Sequence, residues 1–176
     1  MKLFESQGYF ATTVEQITAE AGVSKGLVYN YFNSKEELLA GLIEETTTRM
    51  ESVAQTLDPG ESVEDSLSQF IDHYFHFLKT EKTFLKLQLT LMLMPELKKV
   101  VSQPQQQRAK SLLKMLTGWF KQANASGAKN KARLFLAMLD GVALHYLSIY
   151  ENYPLISMKP LLMQAAKELC SPPEGN

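Results

Sequence analysis

The stretch AGVSKGLVYNYFNSKEEL, residues 21–38, decides the fold. It holds two helix starts separated by tight turns. Gly22 ends the helix before it, because glycine takes the left-handed C′ conformation without a Cβ clash. Ser24 caps a short helix that runs to about Tyr31. Ser34 and Glu37 form a capping box and open a long helix to about Leu57, stopped by Asp58-Pro59-Gly60. Upstream, Thr12 with Glu15 and Thr13 with Gln16 both fit a capping box, so a helix starts near residue 13. Helices over 13–20 and 25–31, joined by Ala21-Gly22-Val23-Ser24, describe a helix-turn-helix.

In that motif the second helix enters the major groove, N-terminal residues against base edges. Here those residues are Lys25, Gly26 and Leu27. Lysine reaches guanine O6 and N7 or a phosphate; leucine offers only apolar contact, to a thymine methyl. Glycine lets a backbone come close. Tyr29 and Tyr31 are two apart and point to opposite sides of a helix, so at least one hydroxyl faces outward, where it can bond a phosphate. Lys35, at the start of the next helix, sits beside free N–H groups that favour an anion. Val28 and Phe32 are assigned to the core.

Residues Phe4 to Leu38 resemble the DNA-binding region of the tetracycline-repressor (TetR) family of bacterial regulators. The matching positions are Leu3-Phe4, Gly8-Tyr9, Thr12-Thr13-Val14, Ile17, Ala21-Gly22-Val23-Ser24, Gly26, Tyr29, Tyr31-Phe32, Ser34-Lys35 and Leu38. The resemblance implies that Thr12 or Thr13 caps the first motif helix and bonds a phosphate. It implies that Lys25, Gly26, Leu27 and Asn30 face the groove, and that Tyr29, Tyr31 and Lys35 clamp the backbone. It further implies a homodimer on a near-palindromic, double-stranded operator, released when a small molecule changes the separation of the two reading heads.

Two departures stand out. Leu27 replaces the small polar residue common at that place. The first family helix also has a basic start, whereas here Met1 is almost at Leu3. Residues 1–50 carry four Lys or Arg against seven acids, a net −3. That is poor for a DNA head, because phosphate neutralisation supplies much of the affinity. The expectation is a head whose first helix is truncated at its N-terminus: either a basic segment upstream of Met1 is absent from the sequence, or DNA binding is weakened.

The remaining chain keeps helical period throughout. A helix starts at Ser62, with Val63, Leu67, Phe70, Ile71, Tyr74 and Leu78 on one face. Residues 82–94 are apolar nearly all round and are expected to be buried. Pro95 and Pro104 bracket a connector. Helices then follow over about 104–124, closed by Asn124-Ala-Ser-Gly127, over 129–151, and over 159–170, before a frayed tail. The fold expected is all-α with about nine helices: a three-helix helix-turn-helix head, residues 1–46, and a larger ligand-binding and dimerisation domain, residues 47–176.

That larger part is rich in aromatic and thioether side chains, which line adaptable apolar cavities. Phe70, His73, Tyr74, Phe77, Met92, Met115, Trp119, Met138 and His145 are the candidate ligand-binding residues. His73 and His76 share a helix face but have no evident third ligand, so no metal is assigned. The helix over 129–151 carries Ala137, Gly141 and Ser148. With the last helix it would form a four-helix bundle with its copy about a two-fold axis, as the resemblance implies.

The totals fit this reading. The chain has 176 residues, 45% of them hydrophobic, and a net charge of −1. The lone Cys170 cannot form an internal disulfide, which points to a reducing compartment. No segment approaches the roughly 18 apolar residues of a membrane span, and no signal peptide is evident, so a cytoplasmic location is expected. There is no Gly-rich phosphate loop, paired buried carboxylate or nucleophile–base pair, so no catalysis and no cofactor are expected. The function expected is a DNA-binding transcriptional regulator, a ligand-released homodimeric repressor. The alternative is a helical ligand- or protein-binding module whose truncated head is inactive.

Overall fold

A computed structural model describes residues 2–55 and 62–171, and every described regular element is helical. The elements are α1 (Lys2–Ala11), α2 (Val14–Ala21), α3 (Lys25–Tyr29), α4 (Lys35–Gln55), α5 (Val63–Thr80), α6 (Lys82–Met92), α7 (Lys98–Gln122), α8 (Ala128–Leu144) and α9 (Leu155–Cys170). A π-helical turn, His145–Ile149, extends α8. The expected stop at Asp58-Pro59-Gly60 and the tail beyond Ser171 lie outside the described residues.

The chain forms two compact units. The first combines Met1–Arg49 with Thr83–Gln106; the second combines Met50–Lys82 with Gln107–Asn176. The first unit's core holds Phe4, Tyr9, Val14, Leu38, Leu39, Ile43, Phe84, Leu85, Leu91 and Leu97. Phe4 and Tyr9 stack at 5.7 Å. In the second unit α9 packs on both α5 and α8. Its core includes Leu67, Ile71, Leu78, Leu116, Phe120, Phe135 and Leu162. Phe120 meets Phe135 edge-on at 6.3 Å.

Three helix assignments change. Pro104 lies inside α7 rather than at its start. It removes one backbone donor without ending the helix, and the boundary between the units falls two residues further on, after Gln106. α9 begins at Leu155, so Pro160 is also internal. α8 gives way to the π turn at His145, and extended Tyr150 ends it.

One burial expectation also changes. α6 buries Phe84, Leu85, Gln88 and Leu91, while Lys86 and Thr90 on it are exposed, as is Leu93 just beyond. One side of that segment is therefore open. α8 buries Ala132, Phe135, Leu139 and Val142 but exposes Leu134 and Leu144. The helical stretch Ala128–Ile149 is, by length and composition alone, apolar enough to cross a membrane, with a mean hydropathy of 1.3. The shortfall of apolar length read from the sequence does not hold there. The stretch has one apolar face in the unit's core and a second, exposed one.

Candidate nucleic-acid interface

The supporting helix of the head is fixed at both ends. Thr13 Oγ accepts from the Gln16 N–H at 3.2 Å, and Gln16 Oε1 accepts from the Thr13 N–H at 2.9 Å. Of the two capping boxes legible in the sequence, this one forms. At the other end Gly22 is left-handed (φ 67°), its N–H reaching the carbonyls of Thr18 and Ala19. A side chain there would strain the turn, so the chain leaves α2 in a direction set by glycine. Ser24 then caps α3, Oγ accepting from the Leu27 N–H at 3.1 Å.

α3 has no buried residue. Leu27 is 46% exposed, Tyr29 43% and Tyr31 74%. Gly26 and Asn30 are exposed, and a Cβ added at Gly26 would meet nothing within 4 Å. Helix formers without a core face are normally unstable alone. Here α3 is held by its cap, by α2, and by its C-terminal anchor Phe32. The Phe32 ring lies against Gly41 of α4, where a Cβ would come within 2.8 Å of it. Val28 and Phe32 are half-buried rather than core.

Two expected backbone clamps are already engaged. Thr12 is fully buried; its hydroxyl donates to the Gly8 carbonyl at 2.7 Å and accepts from Gln7 Nε2 at 3.2 Å. It neither caps α2 nor reaches solvent, so of the pair only Thr13 remains a phosphate candidate. Lys35 Nζ donates to the carbonyls of Tyr9 and Thr12, at 3.0 and 2.9 Å, and stands 4.2 Å from the centre of the Tyr9 ring. It ties the end of α1 to the start of α4. The Tyr9 hydroxyl donates to Glu36 Oε1 at 2.7 Å. Burial first, and then Glu36, push that hydroxyl's pKa well up, and the same bond holds the Glu36 carboxyl down.

Lys25 remains on the exposed face. Its ammonium pairs with Glu15 of α2 and lies 5.7 Å from the Tyr29 ring centre. The pair holds the Glu15 carboxyl below, and the Lys25 ammonium above, their ordinary values. Local spacing assigns Glu15 only to a cap. The signal was there: Lys25 is the only Lys or Arg between Leu3 and Ser34.

The candidate ligand residues are dispersed. Phe70 and Tyr74 are core side chains; the Tyr74 hydroxyl donates to the Leu139 carbonyl at 2.7 Å. Trp119 meets Phe70 edge-on at 6.0 Å and, like Phe77, Met115 and Met138, is half-buried. His145 is half-buried between Tyr150 and Tyr153, with ring centres at 5.3 and 5.8 Å. His73 is exposed, its Nδ1 2.8 Å from the Gln69 carbonyl of its own helix. Met92 belongs to the first unit, is 40% exposed, and accepts from Gln105 Nε2 at 3.1 Å. His73 and Met92 are exposed, and their partners within their own units are a helix carbonyl and Gln105.

A capped support helix, a glycine turn and a bare helix offering lysine, glycine and tyrosine define a helix-turn-helix protein. Residues 1–42 match the family of bacterial regulatory proteins of the tetR type. The HTH-type regulator YerO of Bacillus subtilis is 33% identical over 100 residues, which are 54% of this chain and 34% of YerO. A transcriptional regulator of Aquifex aeolicus is 27% identical; the match covers 95% of this chain and 92% of that one, with a TM-score of 0.72. The B. subtilis regulator FadR, solved with stearoyl-CoA, shares the fold at 20% identity and a TM-score of 0.73, over 94% and 92% of the two chains. Residues 1–42 thus carry the DNA-binding region of TetR-type regulators, and over nearly its whole length the chain is similar in fold to solved transcriptional regulators; it spans about a third of the length of its curated relative YerO.

Proposed function

We propose that this regulator is a homodimeric, cytoplasmic repressor that binds a near-palindromic operator and is released by a small, largely apolar ligand. Residues 1–46 serve as the DNA-binding domain and 47–176 as the ligand-binding and dimerisation domain. The observation that carries the reading is α3, a helix with no residue in its own core and an open glycine at its tip. Gly26 and Leu27 meet base edges with Lys25 and Asn30, while Thr13, Tyr29 and Tyr31 hold phosphates. Lys35 acts through the position of α1 and α4 rather than through a phosphate.

Half-buried Phe77, Met115, Trp119 and Met138 support an apolar ligand in the second unit, since such side chains repack around different shapes. The exposed apolar positions of α8 and α9 support pairing with a second copy. Fluorescence anisotropy with duplexes from the DNA flanking the gene tests the head. Affinity is expected to fall steeply with salt and to be lost on Tyr31→Ala. Salt-insensitive or absent binding by the full chain would favour the inactive-head alternative. A thermal-shift screen of apolar metabolites, long-chain acyl compounds included, tests the ligand.

A further inference from the structure

We propose that Glu15 is a built-in competitor of the DNA backbone for Lys25, so that the free head is held in a weak-binding state set by one carboxylate. The inference rests on the DNA-binding reading above. From Leu3 to Ser34 the chain has a single Lys or Arg, Lys25. The next lysine, Lys35, is committed to the carbonyls of Tyr9 and Thr12. The electrostatic attraction of this face for phosphate therefore passes largely through one ammonium, and that ammonium is paired with Glu15.

Glu15 is placed for the task. It occupies the first turn of α2, whose N-terminus is fixed by the Thr13–Gln16 capping box, so its Cα cannot drift. Both partners are half-exposed, so the pair can open without unfolding anything. An exposed ion pair is weak and screened by salt. A phosphate contact also releases a condensed counterion. Duplex DNA therefore wins Lys25 at low salt, but part of the gain is spent breaking the pair and leaving a carboxylate beside a phosphodiester. A paired lysine adds no net charge to the face, so the salt dependence of binding should be shallower than the lysine count suggests.

The test is a double-mutant cycle on the full chain. It uses Glu15→Gln, Lys25→Gln and the combination, each titrated with a random-sequence duplex of ~30 bp over a salt series, since non-specific binding is charge-driven and needs no operator. Glu15→Gln is expected to tighten binding about 3- to 10-fold at low salt and to steepen the salt slope by about 0.9, the value of one phosphate contact. In the Lys25→Gln background the same change is expected to gain under about 2-fold, because the competitor has nothing left to hold. An equal gain in both backgrounds would mean that Glu15 simply repels DNA, and overturns the proposal; so does no gain from a variant whose circular dichroism is unchanged. If the unsubstituted chain and all three variants lack salt-dependent binding, the DNA-binding reading falls first and this inference with it.

Discussion

Four side chains, three in the head and one in the second unit, each do a job that their residue type alone does not announce. Gly41 is a helix-interior residue of α4, where alanine normally stabilises. Here a Cβ would come within 2.8 Å of Phe32 Cε1, so the ring that anchors the end of α3 must move. Gly41→Ala is expected to cost about 1–2 kcal/mol, read as a lower midpoint in urea. Lys35 sits at a place where a phosphate contact is natural, yet both of its hydrogen bonds are internal. Lys35→Met is expected to lower the melting temperature as well as DNA affinity, because bonds from a charged donor to two carbonyls are worth about 1–3 kcal/mol. A change in affinity at constant melting temperature would restore the clamp role. The tyrosines give a pH dependence. Burial pushes the hydroxyls of Tyr9 and Tyr74 above their ordinary value of 10.0. In the unfolded chain both ionise near 10; in the native chain they hold their protons longer. Their contribution is thus full below pH 10 and lost as pH rises beyond it. Unfolding on the alkaline side is expected to release protons and raise tyrosinate absorbance in the same step, and Tyr74→Phe should make the fall in stability shallower above pH 10.

At the scale of the element, the short-range signals were legible and the long-range ones were not. Ser24, Ser62, Gly22 and the Thr13–Gln16 pair act within one turn of where they stand, so spacing alone gave α2, α3 and α5 their starts. Thr13→Ala is expected to cost about 1 kcal/mol by removing the α2 cap, with the loss of helicity confined to the head. Thr12–Glu15 matched the same pattern equally well. What separates the two boxes is tertiary: α1 breaks at Gly8 (φ 79°), and Thr12 folds back to bond the Gly8 carbonyl. Pro104 marks no helix start, for a different reason, and neither does Pro160. A proline reads locally as a helix start or stop, but it removes a single backbone donor, and α7 and α9 both run on through theirs. The commitments of Lys25, to Glu15 ten residues away, and of Lys35, to carbonyls more than twenty away, lie beyond any window of helical period.

At the scale of the whole molecule, an α8 with two apolar faces implies burial for the one and a partner for the other. Its inner face is settled: Ala132, Phe135, Leu139 and Val142, spaced 3, 4 and 3, lie in the core. On another face Leu134, Ala137, Gly141 and Leu144 repeat at 3, 4 and 3, with Leu134 54% exposed and small residues between the leucines. α9 adds Ile156 and Leu161, 74% and 56% exposed. Leucines alternating with alanine and glycine at this spacing suit close packing against another helix, and a two-fold axis would bring the same two helices of a second copy to the place. Because the face is already open in the single chain, a charge on it should not unfold the subunit. Leu134→Glu, or Leu161→Glu on α9, is expected to convert dimer to monomer by light scattering with helicity unchanged. DNA affinity should fall with it, since two linked heads bind as one through effective concentration and a lone head does not. If both variants stay dimeric, the bundle about α8 and α9 is the wrong interface. If they become monomeric and keep full affinity, the two reading heads do not act together.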